Sequence, residues 1–252
     1  QKHQAEKKTE KKEEEKTNDR DIRFGYRMSA ELKSRLSELC QIYIGTRNYH
    51  NFTRKTHPNE DKAKRVMFSM DIVRTMVIDD IEYLLIEIHG ASFLYHQIRK
   101  MVGLLVALMR NTRYYVADIV NKEAEKKHIA DCKRLTEIVF SAEHKMAIPL
   151  APSQGLYLKA VRFDEYNKKC EREGQSWKEI SLERYDETVN AFIMEKIVPQ
   201  ITKYELNTQD ELSGNQFAFW LYSLENDFKF EILEITQELV QHLKQKGIKY
   251  VM

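Results

Sequence analysis

The sequence predicts an α+β fold: an antiparallel sheet with helices packed on it, and a mainly helical tail. Three observations carry this. Val66, Phe68, Met70 and Ile72 alternate along the chain, the period of a half-buried strand. Tyr83 to His89 follows as a second, more apolar strand, after the turn-forming Asp79-Asp80. Before and after this pair, apolar residues recur at helical spacing instead.

Residues 1–20 hold 13 charged side chains, seven basic and six acidic, and no aromatic. Such a segment buries too little apolar area to offset its ordering entropy, so residues 1–23 read as a disordered charged segment rather than a basic RNA-binding arm. Order begins near Phe24. Ser29 caps a helix whose apolar face is Leu32, Leu36, Leu39, Cys40 and Tyr43, and Gly45 stops it. Residues 46–64, rich in Asn, Thr, Asp and His-Pro, read as a loop. The two strands come next, and Gly90 ends the second. Ser92 is then the expected cap of a helix running to about Arg110. Residues 114–127 and 131–143 read as two more helices. Pro149 and Pro152 bracket an extended approach to a third strand, Gly155 to Phe163. Past Trp177 the pattern is helical over 180–206, 209–224 and 230–247. The expected organisation is a charged segment at 1–23, the folded region at 24–170 and a mainly helical extension at 171–252.

A chain of 252 residues can form one large domain or two small ones. Its 41 basic and 39 acidic residues leave a formal charge of +2, which neither demands nor excludes a nucleic-acid partner. The three cysteines form no CxxC pair, so neither a zinc site nor a disulfide framework is suggested, and a reducing compartment is the default. The longest apolar run, Met101 to Met109, is about half of the ~20 residues a membrane span needs.

Four segments stand out: Gly45-Thr-Arg-Asn-Tyr-His-Asn-Phe-Thr53, Phe93-Leu-Tyr-His-Gln-Ile-Arg-Lys-Met-Val-Gly103, Ala151-Pro-Ser-Gln-Gly-Leu-Tyr-Leu158 and Phe163-Asp-Glu-Tyr-Asn167. The second puts Arg99 on an otherwise core-like helix, where a guanidinium needs a carboxylate or phosphate partner. In this order and spacing the four resemble the C-terminal half of a TruA-type tRNA pseudouridine synthase, most closely the eukaryotic multisite branch. The resemblance runs from about Phe24 to about Phe228. It implies half of a TruA-like fold, in which two α+β halves share one long antiparallel sheet around a cleft, plus the helical extension of that branch. It implies isomerisation of uridine to pseudouridine in tRNA and possibly other structured RNA, with no cofactor and no metal. It also implies an intracellular protein, nuclear before mitochondrial, with no membrane partner.

The family nucleophile is an aspartate in an Arg-Thr-Asp motif of the first half. Neither that motif nor the family's Ala-Arg-x-Tyr occurs here. The missing first half is therefore an expected partner, and the chain alone is expected to be inactive. Arg99 matches the family arginine that pairs with the aspartate, keeping it ionised through a bidentate contact. His96, one turn earlier, reads as a support or RNA contact rather than a proton carrier. Lys100 reads equally as a phosphate contact or a solvated lysine.

The loop residues Asn48, His50 and Asn51 suit hydrogen bonds to a flipped or single-stranded nucleotide, and equally suit a structural loop; Phe52 reads as a core plug. The family usually has a histidine where Arg47 stands. Arg47, Arg54, Lys55, Lys62, Lys64 and Arg65 cluster among Tyr49, His50, Phe52 and His57, a reasonable tRNA backbone contact weakened slightly by Glu60 and Asp61. Gly155-Leu-Tyr-Leu158 resembles the family's Gly-Leu-x-Leu strand, in which a leucine packs beneath the target uracil; Leu156 rather than Leu158 is taken as that leucine, and an ordinary core strand is the alternative. A non-catalytic RNA-binding or scaffold subunit built on the same half-fold is the competing reading. A helical protein-interaction module at 180–247 would explain the tail but not the four segments.

Overall fold

The computed structural model describes residues 25–111, 137–143, 145–173, 178–206 and 220. They fall into two compact units, divided between Leu150 and Ala151.

In the first unit, helix α1 spans Ala30–Cys40. Ser29 caps it as expected: its Oγ accepts from the Leu32 N–H at 3.3 Å. Leu36, Leu39 and Cys40 face inward, and a 3-10 turn at Gln41–Tyr43 carries the chain to Gly45. There the backbone enters the left-handed region at φ 95°, which glycine alone adopts freely. The loop expected next begins instead with strand β1, Gly45–Asn48. Gly-Thr-Arg-Asn has no apolar alternation to betray it. Its extended state comes from pairing with β2, Lys64–Ile78, antiparallel with Gly45 opposite Met67 and Asn48 opposite Lys64.

Strand β2 runs longer than its apolar alternation and pairs with β3, Ile81–Gly90. Asp79 and Asp80 turn the hairpin, both at positive φ (48° and 62°), the requirement of the turn that matches strand twist. Register shifts near Met67–Ser69 and Ile72–Arg74 interrupt the ladder. The result is an antiparallel three-stranded sheet, β1-β2-β3, with helices packed on it. This is the expected α+β class.

Helix α2, Gln97–Asn111, starts four residues later than the Ser92 cap predicted. It buries Met101, Leu104, Leu105 and Leu108 against α1, the sheet and an aromatic cluster of Tyr43, Tyr49, Phe52 and Phe140. The Tyr43 hydroxyl donates to the Met101 carbonyl at 3.0 Å, and the Tyr49 hydroxyl to the Tyr43 carbonyl at 2.9 Å. Each buried phenol thus satisfies its polar end while its ring fills the core. Residues 137–140 are helical, the described part of the helix expected at 131–143; the one expected at 114–127 lies outside the described residues.

In the second unit the third strand is not formed: residues 156–163 have no regular structure. A strand needs a ladder partner, and the described residues of this unit contain no other strand. Leu158 is 79% exposed. Helix α3, Asp164–Glu173, follows. The Asn167 side chain exchanges two hydrogen bonds with the Ile180 backbone, at 2.8 and 3.0 Å, and so pins residue 180 to α3. The helix expected over 180–206 starts only at 183 and changes pitch along its length: a 3-10 turn at Glu183–Tyr185, α4 at Asp186–Phe192, a π turn at Ile193–Ile197 and α5 at Val198–Leu206. Pro199 cannot donate to the Glu195 carbonyl, which disfavours an unbroken α ladder there. The helices expected at 209–224 and 230–247 lie outside the described residues, Trp220 apart.

No described helix is long and apolar enough to cross a membrane.

Candidate functional site

The entry to α2 is built by Gln97. Its backbone N–H donates to the Leu94 carbonyl at 3.0 Å, while its side-chain Oε1 accepts from the Leu94 N–H at 2.8 Å. This is the glutamine half of a capping box, three residues from the start of the turn. Gln97 is fully buried, with its amide nitrogen 3.9 Å from both the Met67 and Met101 sulfurs. Sequence reasoning passed over Gln97; its three-residue spacing from Leu94 was the available signal.

His96 precedes the helix, rather than sitting on it one turn before Arg99, and takes φ 67°. A non-glycine residue in this region marks a local constraint. The Tyr95 ring lies against the imidazole, centroids 3.7 Å apart and planes 26° apart. Tyr95 is itself 65% exposed. The His96 Nδ1 is shielded and has no hydrogen-bond partner among the described residues. Desolvation, then the charges of Arg99, Arg54 and Lys100, hold the His96 pKa below its ordinary value. The arrangement keeps a neutral imidazole inside a group of three cations.

Arg99 lies half-buried in the first turn of α2, between buried Gln97 and buried Lys100. Lys100 turns inward: its ammonium donates to the Asn51 carbonyl at 2.9 Å. Burial, then the Arg54 charge, lowers its pKa. Asn51 spends both ends of its amide on the backbone, donating to the Val139 carbonyl at 2.8 Å and accepting from the Met146 N–H at 2.9 Å. The first of these ties the 50–52 turn to the 137–140 helix.

Asn48 holds the same turn from its other side. Its Nδ2 donates to the Pro58 carbonyl at 2.8 Å, and its Oδ1 accepts from the His50 N–H at 3.1 Å. The Oδ1 also lies 3.1 Å from the His50 Nδ1. His50 is buried, and Tyr49 and Phe52 are wholly in the core, so these two rings offer no stacking face to a ligand. The exposed basic side chains of the segment are Arg54, Lys55, Lys62 and Lys64, while Arg47 and Arg65 are half-buried. Lys62 pairs with Glu60 at 2.6 Å.

The structure thus gathers His96, Arg99 and Arg54 electrostatically at one end of α2. Lys100, Asn51, Asn48 and His50 form the scaffold beneath. Leu156 belongs to the second unit and is 46% exposed. Among the described residues no set of His, Cys, Asp or Glu is grouped as metal ligands would be. Burial pushes the Cys40 thiol up to about 12, so it offers no thiolate at neutral pH.

The pattern that defines the tRNA pseudouridine synthase family matches residues 39–164. The chain is similar to the mouse (Mus musculus) protein named pseudouridylate synthase 1 homolog, at 33% identity over 207 residues, 82% of this chain and 43% of that protein. The human (Homo sapiens) protein of the same name is 32% identical over 207 residues, again 82% of this chain and 42% of the relative. A Candida glabrata protein named tRNA pseudouridine synthase 1 is 32% identical over 202 residues, 78% of this chain and 32% of its own length. The chain spans less than half the length of these relatives.

Proposed function

The chain belongs to the tRNA pseudouridine synthase family, and on that premise we propose that it is the C-terminal half of an enzyme isomerising uridine to pseudouridine in tRNA. The observation that carries this reading is the family match over residues 39–164, which includes the head of α2, where half-buried Arg99 stands beside Lys100, whose ammonium is tied to the Asn51 carbonyl at 2.9 Å. A site with these cations, on a helix with the family's Arg99 motif, is suited to an incoming carboxylate and an RNA strand.

In this reading the first half supplies the nucleophilic aspartate, which is absent from the motifs of this sequence. The reaction breaks the bond between N1 of the base and C1′ of the ribose, turns the base, and joins C5 to C1′; the C5 proton then leaves to solvent and N1 takes up a proton. Arg99 orients the carboxylate and favours its ionised form, through two parallel N–H···O contacts. Neutral His96, braced by Tyr95, borders the site without adding charge. Lys100 and Asn51 act one layer beneath, fixing the loop against the helix. Arg54 and Lys55 meet RNA phosphates.

The test is reconstitution. The chain alone should release no tritium from tRNA carrying 5-tritiated uridine, and adding the first half should start release. Turnover by the chain alone would refute the division of labour. RNA binding with no turnover after reconstitution would leave only a binding subunit.

A further inference from the structure

Strands β1 and β2 set Arg47 directly opposite Arg65. Arg65 lies two residues from buried Met67 and so shares its inward face of the sheet. Two cations opposite one another on one face repel. Among the described residues neither arginine has a carboxylate within ion-pair distance. The Arg47 guanidinium is laid over the Phe140 ring at 5.1 Å, and Phe140 stacks in turn on buried Phe52. That platform covers one face of the Arg47 guanidinium. Arg65 donates once, from Nη1 to the Lys64 carbonyl at 2.9 Å. The Nε of each arginine is shielded and has no acceptor among the described residues. Half-buried forks held in place with unmet donors are suited to an anion.

We propose that Arg47 and Arg65 together seat one phosphodiester group of an RNA strand. The proposal rests on the reading of the chain as half of an RNA-modifying enzyme. A phosphodiester has two non-bridging oxygens, one to face each fork, and its negative charge offsets the repulsion across the strands, which a neutral base edge cannot do. The seat positions RNA and reads no sequence.

Two measurements test it. In the first, the chain is melted in inorganic phosphate and in sodium chloride of matched ionic strength. Phosphate should raise the wild-type midpoint with concentration and leave the R47Q/R65Q double variant where chloride leaves it. R47K/R65K keeps the charge but loses the fork, and should lose more than half of the shift. In the second, tRNA affinity is followed against salt with the first half present. R47Q, R65Q and the double variant should each flatten the log–log slope by the same amount, about one unit, because both residues serve one phosphate. Additive flattening by about two units would overturn the shared seat. No phosphate-specific stabilisation of the wild type would overturn the site, as would a double variant that is destabilised with its salt slope intact, the mark of an internal carboxylate. A phosphate shift without a slope change would assign the seat to free phosphate and overturn its role in RNA binding. The melting arm involves neither RNA nor turnover, so it survives if the proposed enzymatic function fails.

Discussion

The Lys100 ammonium donates to the Asn51 backbone carbonyl at 2.9 Å, joining the first turn of α2 to the turn that follows β1. Two of the family's segments, 45–53 and 93–103, are thereby locked together through residues that face inward. The surface they present, with Arg99, His96 and Arg54, depends on that link for its geometry.

Arg99→Ala should abolish most turnover of the reconstituted enzyme, because it would leave a cleft carboxylate without its partner. The loss corresponds to about 3–5 kcal/mol if the assembled halves bury the pair. Arg99→Lys should also fail substantially, since an ammonium cannot make the paired contact. Single-turnover rates on tRNA check both. Near wild-type turnover of Arg99→Ala would remove this helix from the active site.

Lys100→Met should lower stability by about 1–3 kcal/mol, the cost of losing a buried, charge-assisted hydrogen bond to the Asn51 carbonyl. It should also raise the His96 pKa by removing one of the charges that depress it. Denaturant unfolding measures the first effect and an NMR titration of the imidazole the second. An unmoved His96 would mean that the three cations do not share one site.

His96 makes an acid-side contribution of definite sign. Its folded pKa lies below the ordinary 6.5, so the unfolded chain takes up that proton first as pH falls. The contribution is fully present above about 6.5 and is lost as pH drops below it. His96→Gln should flatten the stability profile between pH 7 and 5; a steeper profile would contradict the assignment.

Glu82 anchors the chain entering α1: it accepts from the Met28 N–H at 2.7 Å and from the Lys33 ammonium at 2.8 Å, with its side chain 7% exposed. The Lys33 hydrogen bond, then the Met28 N–H, holds its carboxyl below the ordinary 4.5. Its stabilisation is present above 4.5 and lost as pH falls through the depressed value. Glu82→Ala should cost about 1–3 kcal/mol at pH 7 and much less at pH 3. Equal losses at both pH values would show that only packing is involved.

Gly103 lets α2 approach the 145–150 segment: a Cβ there would run into the Pro149 carbonyl oxygen and carbon. Gly103→Ala should therefore destabilise by about 1–3 kcal/mol, despite alanine's better helix propensity. A higher melting temperature would mean that the segment yields easily.

Arg54→Gln with Lys55→Gln should weaken different tRNAs alike and flatten the salt dependence by up to about two units, as lost phosphate contacts do. Titration of the reconstituted protein at several salt concentrations reads the slope. An unchanged slope would leave these residues as a solvated part of the loop.

Periodicity and punctuation alone determined the β2–β3 hairpin, its Asp79-Asp80 turn, the Ser29 cap and the body of α2. These depend on neighbours a few residues away, which the sequence displays directly. The family motifs likewise singled out Arg99 without any coordinates. Tertiary structure decided the rest. β1 is a strand because β2 lies beside it, not because of its own residues, and 156–163 forms no strand, with no partner strand among the described residues of its unit. The start of α2 was settled by Gln97 reaching back to Leu94, and this moved His96 off the helix into a left-handed turn. Whether Lys100 points to water or to Asn51, and whether Asn51 meets a ligand or two backbone groups, depended on segments up to 95 residues apart meeting in space. Such choices follow from burial and hydrogen-bond satisfaction in the folded chain, which no local pattern records.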